Sequence, residues 1–166
     1  MSVTEVIVAR PLALRLEWEG ERLRRLRLEW ATEGQQAEVR TLLGWALARS
    51  LERYVAGEPV EWPELPVDLD ALPPFYRRVL TELLRIPAGE TLSYGELAAR
   101  CGSPDGARAV GQAMAKNPWP LVYPCHRVLA AGGKIGGYGP GVEMKRWLLE
   151  LEEGVPSPPL PPFASR

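Results

Sequence analysis

Ser93-Tyr94-Gly95-Glu96-Leu97-Ala98-Ala99-Arg100-Cys101, Gly102-Ser103-Pro104-Asp105-Gly106 and Ala107-Arg108-Ala109-Val110-Gly111-Gln112-Ala113-Met114-Ala115-Lys116 follow one another, and their reading decides the fold. Ser93 is a good N-cap with Glu96 three positions on, a capping box that starts a short helix over Tyr94 to Cys101. Gly102 to Gly106 is a turn, and Ala107 to Lys116 forms a second short helix. Two such helices joined by a tight glycine-containing turn have the shape of a helix-turn-helix, although many proteins that never meet DNA share it.

The second helix would expose Ala107, Arg108, Gly111, Gln112 and Ala115, which are mostly small. Gly111 inside a helix costs about 1 kcal/mol relative to Ala. Close packing in the core is one account of it; close approach of a bulky partner such as a DNA groove is the other. A major-groove reader carries long polar side chains for base edges, whereas small ones suit a sequence-tolerant minor-groove fit. Arg108 is the long basic side chain of that face.

Further on, Pro124-Cys125-His126-Arg127-Val128 places the single histidine beside one of two cysteines. The thiolate is the nucleophile, and a nearby imidazole raises its population. Sequence neighbours diverge by about 100° on a helix and point to opposite faces of a strand. Cys125 and His126 are therefore expected to communicate through a bend or a bridging water. The glycine-rich run Gly132 to Gly139 behind them suggests a loop-borne site.

Working back towards the N-terminus, Glu5–Ala9, Leu12–Trp18 and Leu23–Trp30 alternate as strands of a meander, with a turn at Glu19-Gly20-Glu21. Gln35 to Val55 has helical spacing, ended by Gly57. Five prolines between Pro59 and Pro74 mark an extended linker. Pro74 opens a helix, Phe75 to Ile86, and Met144 to Glu152 is the last one. The domains expected are 1–57, a linker at 58–72, 73–154, and a flexible tail at 155–166.

The chain has 166 residues, 46% hydrophobic and 25% charged, with a net charge of −1. That is the profile of a globular protein without the surplus basic charge of an indiscriminate nucleic-acid coat. No apolar run approaches the roughly 20 residues a membrane span needs, and the first residues do not read as a signal peptide. A cytoplasmic chain with one reactive and one inert thiol is expected, in preference to a disulfide between Cys101 and Cys125. One histidine and two cysteines cannot make a four-ligand zinc site, so a structural zinc is not expected.

Phe75-Tyr76, Pro87-Ala88-Gly89, Ser93-Tyr94, Ala107-Arg108-Ala109-Val110-Gly111, Asn117-Pro118, Pro124-Cys125-His126-Arg127-Val128, Gly137-Tyr138 and Lys145-x-Trp147-Leu148-Leu149 occur together in this order. With this spacing, residues 73–154 resemble the O6-alkylguanine-DNA alkyltransferases. The resemblance implies an α+β fold: an N-terminal ribonuclease-H-like α/β domain followed by a mostly helical C-terminal domain with a helix-turn-helix. It also implies direct-reversal repair of double-stranded DNA containing O6-alkylguanine, and of O4-alkylthymine. The base is flipped out, at a cost of a few kcal/mol, and its alkyl group moves irreversibly to Cys125. The protein would be a single-turnover methyltransferase, acting as a monomer with no cofactor.

By the same resemblance, His126 is a water-relayed general base oriented by Glu152. Tyr94 crowds the 3′ phosphate and protonates the leaving guanine, and Lys145 supports that transfer. Arg108 is the finger that fills the gap; Tyr94, Ala107, Gly111 and Gln112 complete the DNA face. Met114, Asn117, Val128, Tyr138 and Gly139 belong to the base pocket, Asn117 as a hinge and the Val128 carbonyl as an acceptor. Three positions depart from the family pattern: Gly139 for serine, Gln112 for a small residue, and Gly106 for alanine. The rival readings are a lesion-binding relative that lacks the acceptor cysteine, a Cys-His hydrolase and a transcription regulator. Cys125 argues against the first, the helix pair against the second, and the short side chains of the second helix against the third.

Overall fold

The computed structural model describes residues 2–154; the tail expected at 155–166 lies outside them. Three antiparallel strands, β1 (Ser2–Ala9), β2 (Leu12–Glu19) and β3 (Arg22–Trp30), form a meander in the order β1-β2-β3. Its inner face is set by period-two alternation: Ile7 from β1, Leu12, Leu14, Leu16 and Trp18 from β2, and Leu23, Leu26 and Leu28 from β3. The step from Leu23 to Leu26 breaks that period. The register shifts there, with Glu17 opposite Arg25 and Trp18 opposite Leu23, so Arg24 is the extra residue that returns Leu23 to the core.

Helix α1 (Leu42–Val55) buries Leu47, Leu51 and Tyr54 and packs beside β1. It begins later than the sequence spacing suggests. Residues 35–41 are held extended instead, with Glu38 bridged to Val6 and Thr41 accepting from the Gly44 N–H as N-cap. The buried Glu5 carboxylate also accepts the backbone N–H groups of Arg40 and Thr41 at 2.6 and 2.8 Å. These bonds serve helix-start donors that have no partner within the helix. A strand residue 35 positions away thus sets where the helix starts.

Residues 58–72 are proline-punctuated but are not a free linker. Leu65 is buried, Trp62 tilts against Tyr54 at 5.5 Å, the Pro66 carbonyl accepts from Leu23, and Leu69–Ala71 is a 3-10 turn. Helix α2 (Pro74–Leu83) opens on a proline, where a missing N–H costs nothing. It ends three residues short of the expected Ile86, because Arg85 and Ile86 take tighter bonds to Glu82 and Leu83 before Pro87 stops the chain.

The capping box at Ser93 and Glu96 forms as expected and starts α3 (Tyr94–Arg100). After the turn comes α4 (Ala107–Ala115), which packs on α2 and α3. Gly106 is required at that turn: a Cβ there would sit 2.9 Å from the Ser103 carbonyl oxygen. Two-residue strands β4 (Leu92–Ser93) and β5 (Val128–Leu129) pair in parallel, and α5 (Val142–Glu152) closes the described chain. The two parts share one core. Trp147 of α5 meets Trp30 edge-on at 5.8 Å, and the Trp119 indole donates to the Leu23 carbonyl.

Candidate active site

Cys125, His126 and Arg127 form a single 3-10 turn between a buried, irregular segment and β5. The turn gives adjacent side chains the divergence that regular structure would give, but in a compact space. Leu121, buried just upstream, holds φ at +77°, a backbone state costly for a branched side chain. Asn117, beyond the end of α4, fixes this approach. Its amide nitrogen donates to the Tyr123 carbonyl and its amide oxygen accepts from the Trp119 N–H; the same side chain pulls the Cys125 thiol down against burial. The β4–β5 pairing sets Leu92 against Val128 and so brings the N-terminus of α3, with Tyr94, beside the strand that follows Cys125.

Glu152, on the last turn of α5, gathers three partners. Oε2 lies 2.5 Å from His126 Nε2 and accepts the Tyr54 hydroxyl at 2.5 Å, while Oε1 accepts Arg127 Nε at 2.7 Å. Arg127 also donates to the Ile86 carbonyl. Burial pushes the Glu152 carboxyl up, but the charges and hydrogen bonds of His126 and Arg127 outweigh it and hold the group near 2. The carboxylate is ionised, so His126 Nε2 carries the proton and donates it to Glu152, leaving Nδ1 as the free lone pair. Nδ1 and the Tyr138 hydroxyl are buried and have no protein partner. Burial also holds the imidazole below its ordinary range, against the pull of Glu152.

The Cys125 thiol departs from expectation. It is pushed up, because burial outweighs the Asn117 bond and the charge of Lys145. The resting pair is thus a neutral thiol next in sequence to a neutral imidazole. Cys101 is buried and free as well, its thiol raised by burial.

A pocket of about 280 Å³ is lined by Tyr94, Gly111, Met114, Ala115, Cys125, Gly137, Tyr138 and Gly139. Asn117 and Val128 do not line it. Asn117 lies behind the cysteine, and the Val128 carbonyl accepts Lys145 Nζ at 2.7 Å. Lys145 is fully buried and donates also to the Gly137 carbonyl. It braces the pocket wall instead of making a hydrogen bond to Tyr94. Gly111 has ordinary space around it, with the Tyr94 ring 3.9 Å from where a Cβ would stand; its smallness opens the pocket to α4 and is not forced by core packing. Arg108 and Gln112 are exposed on the same helix and Ala107 is half-buried. Gly136 turns the loop at φ +72°, where a Cβ would sit 3.1 Å from the Tyr94 hydroxyl. A larger cleft of about 430 Å³, lined by Arg22, Arg24, Asp68 and Trp119 among others, contains neither cysteine nor His126.

Two participants were not visible as such in the sequence. Tyr54 reads there as a core residue of α1, and Arg127 as part of a motif without a role of its own. A signal did exist for Arg127: a charged side chain in a run that, His126 aside, is largely apolar. Among the described residues no cluster of acidic, histidine or cysteine side chains fits a metal ion, and no helix is long and apolar enough to cross a membrane.

The profile of the 6-O-methylguanine DNA methyltransferase, DNA binding domain, matches residues 74–154. A methylated-DNA–protein-cysteine methyltransferase of Mycobacterium bovis is 50% identical over 103 residues, covering 62% of this chain and 61% of the relative. The match thus spans about three fifths of that relative's length. The Salmonella typhimurium protein of the same name is 39% identical over 140 residues, covering 82% of this chain and 81% of its own. The crystal structure of Mycobacterium tuberculosis OGT in complex with DNA superposes with a TM-score of 0.74 at 39% identity, covering 89% of this chain and 91% of that one. The mixed α/β fold, the pocketed cysteine and these likenesses agree: the chain belongs to the methylated-DNA–protein-cysteine methyltransferase family.

Proposed function

We propose that this protein repairs DNA by moving the alkyl group of O6-alkylguanine onto Cys125, once per molecule. The carrying observation is a cysteine that lines a pocket of about 280 Å³, just below the roughly 300–1,000 Å³ of ligand sites. That pocket opens beside the small-residue face of α4, and the buried His126–Glu152 pair stands behind it. The helix pair α3–α4 serves as a helix-turn-helix on double-stranded DNA, and β1–β3 with α1 as a ribonuclease-H-like unit. Arg108 enters the stack where the base leaves, with Tyr94, Ala107, Gly111 and Gln112 around it.

In the reaction the thiol proton passes through a water to His126 Nδ1. The sulfur attacks the alkyl carbon in line, an S–C bond forms, and the O6–C bond breaks. The guanine leaves with an electron pair, and the Tyr94 hydroxyl donates a proton to its ring nitrogen. The alkyl group stays on Cys125 as a thioether, so the protein is consumed. Burial and the nearby Cys125 hold the Tyr94 hydroxyl above its ordinary range, which keeps it protonated until the base departs.

The test is intact-mass analysis after mixing with a duplex containing O6-methylguanine, followed by peptide mapping. One methyl group on Cys125 and none on Cys101 is expected, with no more than one equivalent transferred. Turnover, or a label on Cys101, overturns the reading; a lesion bound with no mass change favours the binding-only relative.

A further inference from the structure

We propose that Tyr54 is a positioning residue for the transfer reaction, its hydroxyl on α1 holding the Glu152 carboxylate in place against His126. The argument rests on geometry. The Tyr54 hydroxyl and His126 Nε2 meet the same oxygen, Glu152 Oε2, each at 2.5 Å, from 98 and 26 residues away in sequence. Arg127 occupies the other oxygen. Two donors on one oxygen and a third on its twin leave the carboxylate no freedom to rotate about its terminal bond. The Tyr54 ring is already accounted for, since it packs in the core of α1 and against Trp62. The hydroxyl is a separate feature, aimed at the one acid that touches the histidine.

Its effect is also electrostatic. A buried hydroxyl bonded to Oε2 draws charge from the atom that stabilises the imidazolium, which keeps His126 a weaker base. Burial and the Glu152 charge hold the Tyr54 hydroxyl far above its ordinary range, so it stays a donor throughout. The groups around the pair are Tyr54 from α1, Cys125 and Arg127 from the 3-10 turn, Tyr138 from the glycine-rich segment and Lys145 from α5. Tyr54 is the one supplied by the N-terminal part of the chain. The N-terminal part therefore shapes the reactive centre directly, besides supporting it.

This inference rests on the reading of Cys125 as acceptor, but it can be tested apart from it. His126 is the single histidine, so imidazole 15N shifts followed against pH report on it alone. In Tyr54→Phe the midpoint should rise by roughly half a pH unit, about threefold in proton affinity. The acid limb of the transfer rate should move up with it. In Glu152→Gln the same Tyr54→Phe change should move neither. Trp62→Leu, which removes ring packing and keeps the hydroxyl, should lower the melting temperature and leave the midpoint alone. An unchanged His126 midpoint in folded Tyr54→Phe, or an equal shift with and without Glu152, overturns the proposal. If the wild type transfers no alkyl group, the functional reading fails while the nitrogen titration still decides the role of Tyr54.

Discussion

Replacing Glu152 with glutamine tests the site most directly, because the carboxylate is ionised, almost wholly buried and shared by three donors. The carboxyl titrates near 2 instead of an ordinary 4.5; at 1.36 kcal/mol per pH unit this corresponds to at most about 3.4 kcal/mol. Part of that depression comes from a positive His126, yet burial keeps the imidazole neutral near pH 7. About 2 kcal/mol is therefore the reasonable loss at neutral pH, with Arg127 left facing an uncharged amide. For a domain of this size that is a fall of roughly 4–8 °C in melting temperature. The folded-state pKa is lowered, so the contribution is full above the unfolded value near 4.5 and disappears as pH falls towards 2. Urea denaturation at pH 7 and pH 3 measures it: the gap between wild type and Glu152→Gln should be clear at pH 7 and smaller at pH 3. Single-turnover transfer should slow by roughly 10–100-fold, the range for losing a group that orients another. A gap that does not shrink at low pH, or a folded variant that transfers at the wild-type rate, refutes the reasoning.

Arg108→Ala should slow transfer from duplex DNA at least tenfold more than transfer from a free alkylguanine base, compared by single-turnover kinetics on both substrates, because a finger matters only where a base leaves a stack. Gly106→Ala, although alanine is the residue the family pattern leads one to expect, should lower the melting temperature by a few degrees, since the Ser103 carbonyl leaves no room for a Cβ. Glu5→Ala should cost about 3 kcal/mol or more in urea unfolding, because it strands the Trp18 indole and two helix-start N–H groups. Burial raises the Glu5 carboxyl but the Arg40 and Thr41 bonds lower it further, so the wild-type advantage should fade below about pH 4.

What could be read from the chain was local. The Ser93–Glu96 box, the proline that opens α2 and the alternation of β2 depend on residues a few positions apart, and each appears where the sequence put it. The start of α1 was not legible, because a glutamate on β1 fixes it through space. The resemblance links Lys145 to Tyr94 and gives Arg127 no role of its own, and only the packing shows them spent on carbonyls and a carboxylate. The raised Cys125 thiol follows from burial, which a Pro-Cys-His-Arg motif does not express. Tyr54 stayed hidden because its partner lies on the last described helix.

That separation has a consequence for the order of synthesis. A ribosome makes residues 54, 125 and 126 well before Glu152, yet the bonds of Tyr54 and His126 both end on that glutamate. Contacts between distant residues form late in folding. A growing chain therefore carries its cysteine without the completed machinery around it. On the proposed reading, the transfer machinery is complete only once α5 has docked, when nearly the whole described chain has folded around the cysteine.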